Sequence, residues 1–189
     1  MTTISVLGMD PSLNNWGLAF GQYFTDTNQI QINSIDVIQP ASLEGKQTRT
    51  NSSDIYRASQ LSQQARKACD GATAVFIEVP HGSQSSRAMA SYGICIGILG
   101  SLKAQNQEFF EVTANELKLA TTGQKGASKQ AIIDRAIQNY PHINWPYQTQ
   151  KGQTKVVTGK AEHMADAIGA IEAGILTPAF RQMLQFIAA

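Results

Sequence analysis

The sequence predicts an α/β domain on a mixed five-stranded sheet, three antiparallel strands followed by two parallel ones, flanked by helices. Three observations lead there. Extended apolar segments at 4–9, 16–23 and 30–38 open the chain, separated by turn-rich stretches at 10–15 and 25–28, as in an antiparallel meander. The unbroken, partly β-branched run Val75-Phe76-Ile77 sits between two helical patterns, as a strand covered on both faces does. A last short strand at 109–112 is followed only by helical patterns, which leaves helices on the faces of the sheet.

Each helix has its own signal. Thr50, Asn51, Ser52 and Ser53 offer N-cap chemistry, and Ile55, Ala58, Leu61, Ala65 and Ala68 then recur near helical spacing, so a helix is expected over about 54–69. The segment 83–103 opens with serines and is rich in Ala and Gly, the composition of a helix packed closely on a neighbour. Thr113 with Glu116 three residues later forms a capping box for a helix through about Ala120, and Ser128 caps another through about Tyr140. Residues 148–159 are polar and Gly-punctuated and read as a mobile loop. A helix over 161–174 has Ala165, Ile168, Ala170 and Ile171 available to the core. This element order fits a ribonuclease-H-like domain.

The 189 residues argue for one domain over 1–189. With 42% hydrophobic and 15% charged residues, the chain is neither disordered nor a coiled coil. The most apolar run, 92–102, is interrupted by Gly93, Gly97 and Gly100 and falls short of the ~20 residues of a membrane span. The first ten residues lack the basic start of a signal peptide, so an intracellular, cytoplasmic location is expected. Cys69 and Cys95 have neither metal nor redox spacing and are expected to pack as small apolar residues.

The net charge of +1 conceals an uneven distribution. Between residues 118 and 160 stand Lys118, Lys125, Lys129, Arg135, Lys151, Lys155 and Lys160 against one acid, Asp134. The rest of the chain holds eight basic and thirteen acidic residues. A basic segment in an otherwise acidic chain suits a surface that meets phosphates, although a solvated lysine-studded loop has the same composition. Tyr140, Trp145 and Tyr147 within it suit base stacking or pinning of a loop.

Three carboxylates stand at the ends or starts of apolar elements. Asp10 ends the first strand, Glu78 ends the fourth, and Asp166 lies early in the last predicted helix with His163 and Glu162 three and four residues before it, on the same helix face. Asp10 followed by Pro11 and Ser12 is also good turn chemistry, and His163 alone reads as a surface histidine. Glu78 is harder to set aside, because an acid directly after three apolar strand residues is costly to bury unpaired. If strands one and four are neighbours and the helix crosses them, the three acids converge. Such a cluster makes sense mainly when divalent cations, two Mg²⁺ or Mn²⁺ ions, compensate it. Two such ions suit phosphodiester hydrolysis.

These residues resemble the RuvC family of Holliday junction resolvases. Val6-Leu7-Gly8-Met9-Asp10-Pro11-Ser12, then Trp16-Gly17-Leu18-Ala19, is similar to the family's opening. Phe76-Ile77-Glu78 looks like its second acidic motif and His163-Met164-Ala165-Asp166-Ala167-Ile168-Gly169 like its last. The resemblance implies a dimeric, metal-dependent endodeoxyribonuclease that resolves four-way DNA junctions by paired symmetric nicks. It implies Asp10, Glu78, His163 and Asp166 as metal-binding and catalytic residues, and Lys118 and Lys129 near the scissile phosphate. Lys125, Arg135 and His81 are expected to meet DNA. The sequence departs from the family in three places. His163 stands where Asp is common and shifts the donor set toward Mn²⁺. His81 stands where an aromatic residue often enters the junction, and the basic stretch 147–160 is longer than in the compact bacterial enzymes. Small residues Ala88, Ala90, Ser91, Gly93, Gly97 and Gly100 suit close helix packing, either in a homodimer or on the chain's own sheet.

Two other functions use the same features. One is a broader nuclease of this fold, acting on flaps, forks or hybrids, and the other is a non-catalytic DNA-binding relative. An actin-like kinase or ATPase needs a second lobe with another phosphate loop, for which 189 residues leave no room.

Overall fold

The alternation of the first strand decides which way its terminal acid faces. In the computed structural model, which describes residues 2–43, 49–150 and 152–187, β1 (Thr3–Asp10) is followed by β2 (Trp16–Phe24), β3 (Gln29–Ile38), α1 (Thr50–Cys69), β4 (Ala74–Glu78), α2 (Ser86–Ala104) and β5 (Phe110–Val112). The main sheet has the order β3-β2-β1-β4-β5. β1 is antiparallel to β2 and β2 to β3, whereas β1–β4 and β4–β5 are parallel. This is the expected sheet, three antiparallel strands and two parallel.

After β5 come α3 (Ala114–Thr122), α4 (Lys129–Asn139), β6 (Tyr147–Gln150), β7 (Gln153–Val156), α5 (Thr158–Gly174) and α6 (Pro178–Ile187). One face of the sheet packs on α1 and α2 through Leu7, Met9, Leu18, Val75, Ile77, Leu61, Cys95 and Leu102. The other packs on the later helices through Ile4, Val6, Ala19, Phe76, Leu117, Ile133, Ala165, Ile168 and Phe180. Even-numbered β1 residues and even-numbered β4 residues therefore share the second face, and Asp10 and Glu78 continue those two series.

That second face is bare where α5 crosses it. A Cβ at Gly8 would overlap the Ala167 carbonyl oxygen, and one at Gly17 would overlap that of His163. The α5 backbone thus lies directly on β1 and β2, helped by its own Ala161, Ala165, Ala167 and Ala170, all buried. No larger residue at either glycine fits this crossing.

Several local expectations hold and several change. Thr113 and Glu116 form the reciprocal capping box, and the Ser85 and Ser128 hydroxyls accept from Ala88 N and Ala131 N. The Thr50–Ser53 run does not cap α1 from outside. The helix already begins at Thr50, with Arg49 at the N-cap and no side-chain cap. α1 is tied down instead by buried Asp54, which accepts from Arg87 Nη1 and Nη2 at 2.5 and 2.7 Å and so joins it to the first turn of α2. The stretch read as a loop at 148–159 forms the β6–β7 hairpin and the first residues of α5. α6 was not foreseen. Its start at Thr177-Pro178 is a cap followed by proline at the first helical position, with Thr177 Oγ1 accepting from Phe180 N at 3.3 Å.

Cys69 and Cys95 are buried and free, and burial pushes their thiols up to about 11 and about 12. Trp145 and Tyr140 pin the segment before the hairpin: Trp145 Nε1 donates to Tyr140 O, and Tyr140 Oη donates to Glu172. Lys151, counted in the basic stretch, lies outside the described residues. Among the described residues no helix is long and apolar enough to cross a membrane.

Candidate active site

Asp10 and Glu78 follow Met9 and Ile77, which are paired neighbours in the parallel β1–β4 ladder, so the two acids leave adjacent strands at the same level. α5 crosses above them, and because side chains three apart share a helix face, His163 and Asp166 both reach the cleft. The resulting cavity, about 280 Å³, is lined by Asp10, Glu78, Glu162, His163 and Asp166 together with Lys118 and Lys129. Lys118 comes from α3 and Lys129 from the first residue of α4.

The acids are partly buried and crowd one another. Burial, followed by the charges of Asp10, Glu78 and Glu162, pushes Asp166 up to about 8. Burial and then the Asp10 charge push Glu78 up to about 7, against the opposing pull of Lys118, His163 and Lys129. His163 Nδ1 lies 2.5 Å from Asp10 Oδ2. Burial works against a charged imidazole there, but the hydrogen bond to Asp10 and the charges of Asp10 and Glu162 outweigh it and raise the His163 pKa. Lys129 Nζ donates to Glu162 Oε1 at 2.6 Å, and that bond raises its pKa in turn.

The donor set suits a divalent cation. It combines up to four carboxylates with one imidazole, and burial followed by the neighbouring carboxylate charges holds two of the carboxylates well above their ordinary range. As placed, however, no three His, Cys, Asp or Glu side chains among the described residues are gathered tightly enough to hold an ion. The Asp10–His163 bond occupies one of the oxygens a cation would take. The residues fit the group, and the side chains must draw together to receive it.

Of the expected site residues, Asp10, Glu78, His163, Asp166, Lys118 and Lys129 line one cavity. His81 is exposed on the loop after β4 and does not line it. Lys125 lies in the α3–α4 connection, and Arg135 lines a separate shallow depression with Asp134 and Gln138. The cavity also includes Tyr92 of α2 and Ser12. Glu162 was legible from its spacing to Asp166, whereas Tyr92 carries no signal beyond its place in a helix. Lys129 does not project freely toward the acids, because Glu162 holds it.

No protein-family model and no curated protein sequence matches the chain. Solved structures do. Thermus thermophilus RuvC in complex with a Holliday junction substrate superposes with a TM-score of 0.62 at 14% identity, over 96% of each chain. The chain has a RuvC-like resolvase fold. The yeast mitochondrial Holliday junction resolvase matches with a TM-score of 0.56 at 13% identity, over 96% of this chain and 85% of that one. Fowlpox virus resolvase, solved with Holliday junction DNA, gives 0.50 at 16% identity over 96% and 99%. At these identities the likeness concerns the architecture. What this RuvC-like domain does has to be argued from its own residues.

Proposed function

We propose that the protein is a divalent-cation-dependent endodeoxyribonuclease that acts on branched DNA, four-way junctions above all, as a homodimer placing paired symmetric nicks. The observation that carries this reading is the convergence of Asp10, Glu78 and Asp166, from three distant parts of the chain, on one cavity flanked by Lys118 and Lys129. The RuvC-like fold supports the choice of substrate.

Asp10, Glu78, His163 and Asp166 would hold Mg²⁺ or Mn²⁺, which would supply Lewis acidity toward water and the phosphodiester oxygens. The protein's own groups do the rest. Asp10, now bonded to His163 Nδ1, would exchange that bond for the ion, which would leave this ring nitrogen able to hold a proton at the cleft. Of the two lysines lining the cavity, Lys118 makes no carboxylate hydrogen bond among the described residues, whereas Lys129 does, and Lys118 is suited to a non-bridging phosphate oxygen. Lys129, fixed by Glu162, stands as a positioned charge beside it.

The test is a cleavage panel of a mobile four-way junction beside flap, fork, hybrid and linear duplex, each with Mg²⁺, with Mn²⁺ and with chelator. The junction is expected to be cut by symmetric nicks leaving 5′-phosphates, with no cutting in chelator. Asp10→Asn is expected to bind the junction without cutting it. Equal cutting of flaps and forks would establish the broader nuclease instead. A junction left intact in both metals would refute the catalytic reading.

The homodimer is supported by α2. Its inner side buries Cys95, Ile98, Leu99 and Leu102. On the outer side Met89 and Ile96 are nearly half exposed, and a Cβ at Gly93, Gly97 or Gly100 would meet nothing within 4 Å. Small residues at this spacing let a second copy of the helix approach closely, and a two-fold axis matches a two-fold substrate. Gly97→Glu is expected to yield a folded monomer, since replacing an exposed helical glycine favours the helix by up to about 1 kcal/mol. Sedimentation should report half the parental mass, and paired nicking should give way to unpaired nicks. A variant that sediments with the parent would remove α2 from the interface.

A further inference from the structure

Among the described residues of the β6–β7 hairpin none lines the cavity, and only Val156 at its root packs against a core. Its strands pair only with each other, in the register Tyr147↔Val156, Gln148↔Lys155, Thr149↔Thr154 and Gln150↔Gln153. A two-stranded ribbon is marginal in water on its own and usually persists by laying an apolar face on something. Here only the root does so. Val156 packs against the core, Trp145 is buried just before the ribbon, and Val157 N donates to Pro146 O at 2.6 Å, closing the base. Beyond the root, Gln148, Thr149, Gln153, Thr154 and Lys155 are all exposed, and Thr149 and Thr154 join their hydroxyls across the strands at 2.9 Å. Gly152 turns the tip with φ +77°.

We infer that this hairpin is a DNA-binding arm that lies along the duplex beside the cleavage site, with the face carrying Gln148, Gln153 and Lys155 against the phosphates and groove edges. The inference rests on the nuclease reading for the position of the DNA. Three features favour duplex DNA as the occupant. Charge comes first: no acid occurs between Asp134 and Glu162. Chemistry is second, because carboxamides, hydroxyls and a lysine are the groups that bond phosphate oxygens and base edges, and a two-stranded ribbon fits the major groove. A protein partner would want apolar anchors, and beyond the root the described residues of the ribbon offer only Tyr147 at its base.

Position is the third feature. The ribbon leaves the domain immediately before α5, and Asp166 lies nine residues after Val157. At about 1.5 Å per helical residue and about 3.3 Å per strand residue, Gly152 at the turn stands no more than about 30 Å from Asp166. That span covers about nine base pairs of duplex.

The experiment measures junction binding in chelator, by salt titration and hydroxyl-radical footprinting. It compares the full chain with Lys155→Gln and with a variant in which a Gly-Gly turn joins Tyr147 to Val156. Lys155→Gln is an exposed single substitution that leaves the ribbon in place. In the homodimer it removes two phosphate contacts, so it should lower the slope of log affinity against log salt by about 1.8, and affinity about sixtyfold at 0.1 M salt. The shortened variant should lose protection over a stretch within about nine base pairs of the cleavage position. Parental slope and footprint in both variants would overturn the inference. Failure of the nuclease reading looks different. If the parent binds but never cuts in Mg²⁺ or Mn²⁺, while the variants lose affinity and footprint, the arm stands without the catalysis. If the parent cuts and the variants bind as it does, the arm alone falls. If the parent does not bind junctions, both fall.

Discussion

Asp166→Asn is expected to reduce junction cleavage by roughly a thousandfold or more, since loss of even an outer-shell partner of a metal costs about 10- to 100-fold. In chelator the same substitution is expected to stabilise the fold at pH 8. Asp166 and Glu78 stand at about 8 and about 7, so near neutral pH the native state holds protons that the unfolded chain has released. Stability from such groups is fully present below their unfolded pKa and is lost as pH rises through the folded one. The parent's thermal midpoint in chelator should therefore fall between about pH 5 and pH 8, by up to about 1.4 kcal/mol of stability per pH unit for each proton. His163 and Glu172, also raised, add in the same direction. The amide of Asn carries no proton to lose, so the variant's decline should be shallower and its midpoint at pH 8 higher. Mg²⁺ or Mn²⁺ should raise the parent's midpoint more at pH 8 than at pH 5.5, and the variant's much less. Parental cleavage by the variant, or superimposable midpoint curves for the two proteins, would remove Asp166 from the metal site.

The sheet and the gathering of the charged residues around one cavity were legible because alternation and helical spacing are properties of the chain itself. β1 and β4 end in acids after apolar runs, and once they pair in parallel, strand parity turns Asp10 and Glu78 to one face. The spacing of His163 to Asp166 then needs only a helix. What escaped depends on contacts or on weak patterns. Tyr92 reaches the cavity only because of how α2 is set on the sheet, and sequence spacing does not report that angle. The pairing of Lys129 with Glu162 joins two helices thirty-three residues apart. The β6–β7 ribbon alternates among polar residues, so it lacks the hydrophobic period that marks a strand. Gly152 within it reads equally well as a loop glycine.

Gly17→Ala is expected to damage activity out of proportion to the single methyl group it adds. Gly17 is the ladder partner of Asp10, and its missing side chain leaves the room that the His163 carbonyl fills. The overlapping atom is helix backbone, which no rotamer change can move aside, so relief requires α5 to lift from β2. His163 and Asp166 ride on the lifted turn while Asp10 stays on the sheet, which opens the cleft by about the width of the clash. A displacement near 1 Å at a reacting centre costs about a hundredfold in rate. The overpacking costs about 1 to 3 kcal/mol, visible as a lower thermal midpoint. Gly8→Ala, against the Ala167 carbonyl, should behave alike. Gly159→Ala is the control. It lies in the first turn of the same helix with nothing within 4 Å, so alanine there should leave the midpoint unchanged or raise it slightly, with no loss of cleavage. Rate at saturating junction, measured beside the thermal midpoint for all three, separates a displaced helix from general weakening. If Gly17→Ala cuts and melts as the parent does, then α5 does not rest on β2 at this glycine, and the convergence of the acids needs another explanation.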